Sequence, residues 1–235
     1  MKPPISFLSR LIDLLAPRIC VACNQRLSPT EDTLCGSCQL AIPRTTYHLS
    51  PFDNEVARLF WGKFPLEKAT SCFLYHPGSP ISHLVHQLKY NNRPDIGEAM
   101  GKIFAKELLS SGFFDSITAL LPVPLAANRQ RKRGYNQSEE IARGIQSVTR
   151  LPLLRKAVKR KPFKTSQTQQ SYWGRMENVE NDFCITQPAA LENQHLLLID
   201  DVITTGATIS TLGKEIAAIK GVKISILSLC YSKTL

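Results

Sequence analysis

Apolar residues follow two spacings along this chain, and the change from one to the other marks out its elements. Four runs are short and almost continuously apolar: "ATSCFLYH" (69–76), "SITALLPVPL" (116–125), "HLLLID" (195–200) and "VKISILSLC" (222–230). Runs of this length and composition are strands covered on both faces. Between them the spacing lengthens to that of helices. "PISHLVHQLKY" (80–90) opens on a proline and puts Ile81, Leu84, Val85 and Leu88 on one face. "IGEAMGKIFAKELL" (96–109) is a second amphipathic helix. "SEEIARGIQSV" (138–148) is a third, with Ser138 as the expected cap and acids in its first turn. "ATISTLGKEIAAIK" (207–220) is a fourth, ended by Gly221. Strands alternating with helices predict an α/β protein with a mostly parallel central sheet flanked by helices.

Other parts of the chain lack this rhythm. Residues 1–50 have no long periodic segment and read as a small separate module, which leaves 51–235 for the α/β domain. Within the module, Phe7 to Leu15 reads as a short amphipathic helix. The stretch "RKPFKTSQTQQSYWGRMEN" (160–178) is polar, basic and aperiodic, which is the pattern of a long functional loop. No internal repeat is present.

Composition narrows the class. With 235 residues, 43% hydrophobic and 20% charged, the chain can bury a full core. Its uncharged apolar runs fall short of the roughly 18 residues a membrane span needs. Arg10 and Asp13 break the apolar stretch near the start, and no small-residue cleavage site follows. The expectation is therefore a cytoplasmic protein without a transmembrane segment. The net charge of +10 is concentrated: residues 126–164 hold twelve Lys/Arg against two acids, and the rest of the chain is neutral. Such a stretch points to a polyanionic ligand, although a solvated basic loop would have the same composition.

Two motifs carry chemistry. Cys20 and Cys23 form one CxxC pair, Cys35 and Cys38 another, eleven residues further on. Four thiolates at this spacing can close a tetrahedral site for structural zinc and leave no open position for catalysis; a redox pair is the alternative. The other cysteines, Cys72, Cys184 and Cys230, lie in apolar strand patterns and are read as core residues. The second motif is "LLLIDDVITTGAT" (196–208), a buried strand that runs into two adjacent carboxylates. Ligands in open α/β sheets bind beyond the carboxyl ends of strands. There Asp200 and Asp201 can accept hydrogen bonds from the vicinal hydroxyls of a ribose. Thr204, Thr205, Gly206, Ala207 and Thr208, at the start of a helix, offer hydroxyls and free amides to its 5′-phosphate. Helix capping after a strand would explain one Asp and one Thr, but not all five polar side chains.

This motif closely resembles the PRPP-binding motif of type I phosphoribosyltransferases. The resemblance implies that family's fold, Mg²⁺ bound with PRPP, a pyrophosphate loop and a flexible loop. It also makes Asp200 and Asp201 the candidate catalytic pair. "LPVPLAANRQRKRGYNQ" lies where a pyrophosphate loop belongs, so Arg129 and Arg133 are candidate anion contacts, and Lys89 in "HQLKY" is a third. With the N-terminal cysteines and the "TSQTQQSYWGRMENV" segment, nearly the whole chain resembles the ComF family of competence proteins. In the flexible loop Gln169, Arg175 and Asn178 match the family pattern, whereas Ala126 departs from it.

Three functions fit. One is a phosphoribosyltransferase-domain protein that handles internalised single-stranded DNA in transformation or DNA utilisation, together with a competence helicase or another DNA-processing partner. The second is an active phosphoribosyltransferase of nucleotide metabolism. The third is a sensor of PRPP or a nucleotide. Tyr135, Tyr172 and Trp173, beside the basic stretch, could stack on unpaired bases or anchor the loop to its own domain. His83 and His86 read as solvent-facing helix residues.

Overall fold

A computed structural model describes residues 17–31, 33–161 and 182–233. Four strands form one parallel sheet: β1 (Lys68–Leu74), β2 (Ala119–Pro122), β5 (His195–Ile203) and β6 (Lys223–Tyr231), in the order β1-β6-β5-β2. β3 (Val158–Arg160) and β4 (Phe183–Ile185) pair as a separate antiparallel hairpin. The helices are α1 (Gly36–Ala41), α2 (Glu55–Arg58), α3 (Pro80–Tyr90), α4 (Pro94–Leu109), α5 (Ala127–Arg133), α6 (Gln137–Thr149) and α7 (Ala207–Ala217). The expected α/β class and parallel sheet are therefore found.

The continuous apolar runs follow from layering. Along β5, Leu197 and Ile199 face a cluster built from α3, α4 and α6, with Leu84, Phe104, Ile141 and Ile145. Leu196 and Leu198 face the opposite cluster, with Phe60, Phe64, Ile209 and Leu212. A strand with helices on both sides must be apolar at every position. Residues Cys20, Val21, Leu34 and Ile42 of the cysteine module belong to the first cluster, continuous with Cys72 and Phe73 of β1. Arg44 ties the module's end to α4 through an ion pair with Glu107 and lies over the rings of Phe73 and Phe104.

α4 and α6 approach more closely than side chains normally allow. A Cβ on Gly101 would lie 2.1 Å from the Ile141 carbonyl oxygen, and one on Gly144 would lie 2.1 Å from that of Glu98. Glycines at these positions are what let α6 settle against the sheet.

Three expectations need correction. The cap of α6 is Asn136, whose side chain accepts from the Ser138 amide, so the helix is capped two residues earlier than expected. Part of the basic stretch forms α5, closed by Gly134 at φ 82°. Cys184 is exposed: it lies on the outer face of the two-stranded hairpin, which no second layer covers among the described residues, whereas Cys72 and Cys230 are buried as expected.

Candidate functional site

β5 is an interior strand, and the two acids lie near its carboxyl end, past the last residue paired with β2 but still beside β6, with Asp200 opposite Ser228. Each carboxylate accepts the next backbone amide: Asp200 Oδ1 from Asp201 N at 2.8 Å, Asp201 Oδ1 from Val202 N at 2.6 Å. Both acids also reach the helical layer. Ser138 Oγ donates to Asp200 Oδ1 at 3.1 Å, and Lys89 Nζ lies 3.2 Å from Asp201 Oδ2. Asp201 and Lys89 are mostly withdrawn from water, with side chains 14% and 21% exposed.

Among the described residues, one cation thus faces two carboxylates. Burial, and the charge of Asp201, push Asp200 up to about 7, against the opposing pull of the Asp201 amide, Ser138 and Lys89. A second cation, or donors from a ligand, would relieve this imbalance.

Beyond the acids the chain turns through Thr204 and Thr205 to Gly206, which has φ 73° and opens α7. Thr204, Thr205 and Ala207 are exposed and Thr208 is half-buried, so the hydroxyls and first amides of α7 are accessible together. Thr205 Oγ1 accepts from the Ala207 amide at 3.4 Å. The side of Gly206 where a Cβ would project is filled by the Phe60 ring, 2.9 Å from that position. Gly206 therefore serves the turn and the packing of Phe60 against it.

A cavity of about 280 Å³ opens beside this loop, lined by Tyr75, Ser82, His86, Lys89, Tyr90 and Thr204 among others. At its wall the His86 and Tyr90 rings lie 4.8 Å apart, and the Arg133 guanidinium lies 5.4 Å from the Tyr90 centroid. His83 and His86 are exposed, as their helical positions imply, but His86 also lines the cavity.

The candidate residues therefore divide. Asp200, Asp201, Lys89 and the Thr204–Thr208 loop come together. Arg133 sits at the rim, where Nη1 donates to Gln137 Oε1 at 2.9 Å. Arg129 is exposed on α5. Tyr135 is half-buried and its hydroxyl donates to the Leu88 carbonyl, so this ring anchors its turn to α3. Gln169, Arg175, Tyr172 and Trp173 lie outside the described residues. Ser138, His86, Tyr90 and Phe60 were not singled out as site residues by sequence reasoning. Their roles depend on contacts between distant segments, and only the polar character of "RGYNQS" hinted at Ser138.

The cysteine module is a second site. The Sγ atoms of Cys20, Cys23, Cys35 and Cys38 all lie within 4.8 Å of one another, and Cys23 and Cys35 are 3.8 Å apart. A tetrahedral zinc with Zn–S bonds of about 2.3 Å separates its sulfurs by about 3.8 Å, so the cluster fits that ion. Backbone amides already point at the sulfurs: Cys35 N donates to Cys20 Sγ and Cys38 N to Cys35 Sγ, each at 3.4 Å. Burial opposes ionisation of Cys20, but the amides of Cys35, Cys23 and Ala22 outweigh it and lower the thiol to about 7. Burial and the three facing sulfurs push Cys38 up instead, the imbalance a bound cation would cancel. Glu31 braces the knuckle by accepting from the Ser28 and Gly36 amides at 2.7 and 2.6 Å. No helix among the described residues is long and apolar enough to cross a membrane.

No protein-family model matches the chain. It is similar to the DNA utilization protein YhgH of Escherichia coli K12, with 27% identity over 215 residues, covering 90% of this chain and 89% of that protein. It is 26% identical to competence protein F of Haemophilus influenzae over 208 residues, covering 83% and 89% of the two chains. Competence protein ComFC of Bacillus subtilis is also 26% identical, over 205 residues, 85% of this chain and 79% of that one. Partial structural likenesses join it to the glutamine PRPP amidotransferase of B. subtilis (TM-score 0.40, 19% identity, 60% of this chain and 30% of that one). A further one is to the adenine phosphoribosyltransferase of Leishmania tarentolae (TM-score 0.34, 13% identity, 77% and 88%). At those scores the structural likenesses carry no weight here.

Proposed function

We propose that this chain, a homologue of the ComF-type competence proteins over most of its length, binds PRPP or a related ribose 5-phosphate ligand with Mg²⁺ and serves in the cytoplasmic handling of internalised single-stranded DNA. One observation carries the ligand reading. Two carboxylates stand near the carboxyl end of an interior parallel strand, and the exposed threonine-rich turn that follows the strand opens the next helix. In this reading Asp200 and Asp201 hold the ribose hydroxyls, and Thr204 to Thr208 hold the 5′-phosphate at the positive end of α7. Mg²⁺, when bound with the ligand's diphosphate, supplies the positive charge that the paired acids lack, and Ser138 keeps the Asp200 carboxylate oriented. Arg129 and Arg133 are the anion candidates for the ligand's diphosphate, and Lys159 and Lys161, both exposed, would meet DNA phosphates. The names of the relatives support the DNA assignment; a helicase or other processing partner would supply the strand. The Cys₄ cluster holds structural zinc.

Phosphoribosyl transfer is the second reading, favoured by the cavity beside Thr204, which leaves room for an acceptor. Binding without transfer would make the protein a PRPP sensor. Calorimetry with PRPP and Mg²⁺ tests the shared ligand reading. Wild type is expected to bind, and Asp201→Asn to bind about 1–3 kcal/mol more weakly, the usual loss for a hydrogen bond to a charged group. Absence of binding at millimolar ligand would refute it. A pyrophosphate-release screen over candidate acceptors then separates transfer from binding alone.

A further inference from the structure

We propose that Lys89 is a shared counter-ion that makes the site discriminate between ribose phosphates: it neutralises Asp201 while the site is empty and transfers to the ligand's diphosphate when one binds. The inference rests on the ribose-phosphate reading above and adds a selection rule to it.

The charge count carries the argument. Lys89 Nζ lies 3.2 Å from Asp201 Oδ2, and both side chains are largely out of water. Asp200, the adjacent acid, has Ser138 and an amide as partners and, among the described residues, no cation in contact. Arg133, beside Tyr90 at the rim, is already engaged by Gln137 and by the Tyr90 ring. Leaving a carboxylate in such a place without a counter-charge is costly. A ligand that offers only hydroxyls to Asp201 must compete with an ammonium and returns neutral donors for it. A ligand that also carries a diphosphate with Mg²⁺ takes Lys89 onto its phosphate oxygens and brings a cation in exchange, so neither charge is stranded.

The position of Lys89 makes the exchange feasible. It stands in the last turn of α3, at the wall of the cavity it shares with Thr204, so its flexible stem can swing without disturbing the helix. An ammonium with three rotatable donors suits such a hand-over better than a planar guanidinium.

Titration calorimetry at pH 8 with Mg²⁺ tests this, using ribose 5-phosphate and PRPP as probes against wild type, Lys89→Met and Lys89→Arg, with a thermal melt of each to confirm folding. In Lys89→Met we expect ribose 5-phosphate to bind about 3–10-fold tighter and PRPP about 10-fold weaker or worse, opposite changes that a structural role would not produce. Lys89→Arg should recover most of the PRPP affinity. In wild type, Mg²⁺-pyrophosphate should raise the affinity for ribose 5-phosphate at least about 3-fold, because it draws Lys89 off Asp201. That arm needs no variant and decides the matter if Lys89→Met does not fold. Affinities for both probes that fall together or stay unchanged in Lys89→Met, or pyrophosphate that does not help ribose 5-phosphate, overturn the inference alone. Wild type that binds neither probe overturns the ribose-phosphate reading and the inference with it.

Discussion

Replacing Asp200 by Asn should stabilise the ligand-free protein, and by an amount that grows with pH. Folding raises this carboxyl from 3.8 to about 7, because burial and the neighbouring Asp201 disfavour its charge. The folded state therefore keeps the proton that the unfolded chain gives up. Any stability tied to that proton is fully present below pH 3.8 and is lost as pH rises through about 7. The shift is roughly 3 pKa units, each about 1.4 kcal/mol, so the ionised side chain costs about 4 kcal/mol at pH 8. At pH 5 only about one unit has accumulated, or roughly 1–2 kcal/mol. Asn is neutral at every pH, and its carbonyl can still accept from Ser138 and the Asp201 amide. Denaturant or thermal melts of both proteins at pH 5 and pH 8, in Mg²⁺-free buffer, measure the difference. The advantage of Asp200→Asn should widen by about 2–3 kcal/mol between the two, or about 5–10 °C in Tm for a chain of this size. His48 and His195, whose pKa values burial lowers, cancel because both proteins carry them. An equal or smaller advantage at pH 8 would show that the acid pair is not strained by its own charge. A stabilised variant that no longer binds ligand is the outcome expected of a site shaped for binding at the expense of stability.

Gly144→Ala should destabilise by at least ~2 kcal/mol in urea unfolding, because the new Cβ meets the Glu98 carbonyl at 2.1 Å, although helix propensity alone favours Ala by about 1 kcal/mol. Elemental analysis should find one zinc per chain, and Cys35→Ser or strong chelation should abolish it. Because Cys20, Val21, Leu34 and Ile42 share a core with Cys72 and Phe73, metal loss should also lower the melting temperature of the whole protein. Single-stranded DNA should bind with affinity falling steeply with salt, at a slope of about −0.7 per phosphate neutralised. Replacing exposed Lys159 and Lys161 by Ala should flatten that slope in an anisotropy titration. Arg160 is unsuited to this test, since it pairs with Asp182 at 2.9 Å and covers the Phe183 ring.

Local rules were enough for much of this protein. A strand covered on both faces has to be apolar at every position, so "HLLLID" could be read as the centre of the sheet, with the acids at its end, before any coordinates. Paired CxxC knuckles likewise brought four sulfurs within 4.8 Å, because each knuckle is a local turn. Where a segment answers to remote partners, the sequence was silent or misleading. Ser138 looks like a helix cap, but Asn136 does that work and the Ser138 hydroxyl reaches Asp200, 62 residues away. Cys184 sits in an apolar pattern yet is exposed, since no layer among the described residues covers its hairpin. Glycines that lower helix propensity in α4 and α6 are there because two backbones nearly touch. Lys89 could be singled out in the sequence as a candidate anion contact, but its pairing with Asp201 exists only once α3 is laid against the sheet. Periodicity records which face of an element is buried; which group lies opposite depends on how the layers are stacked, and only packing of the whole chain determines that.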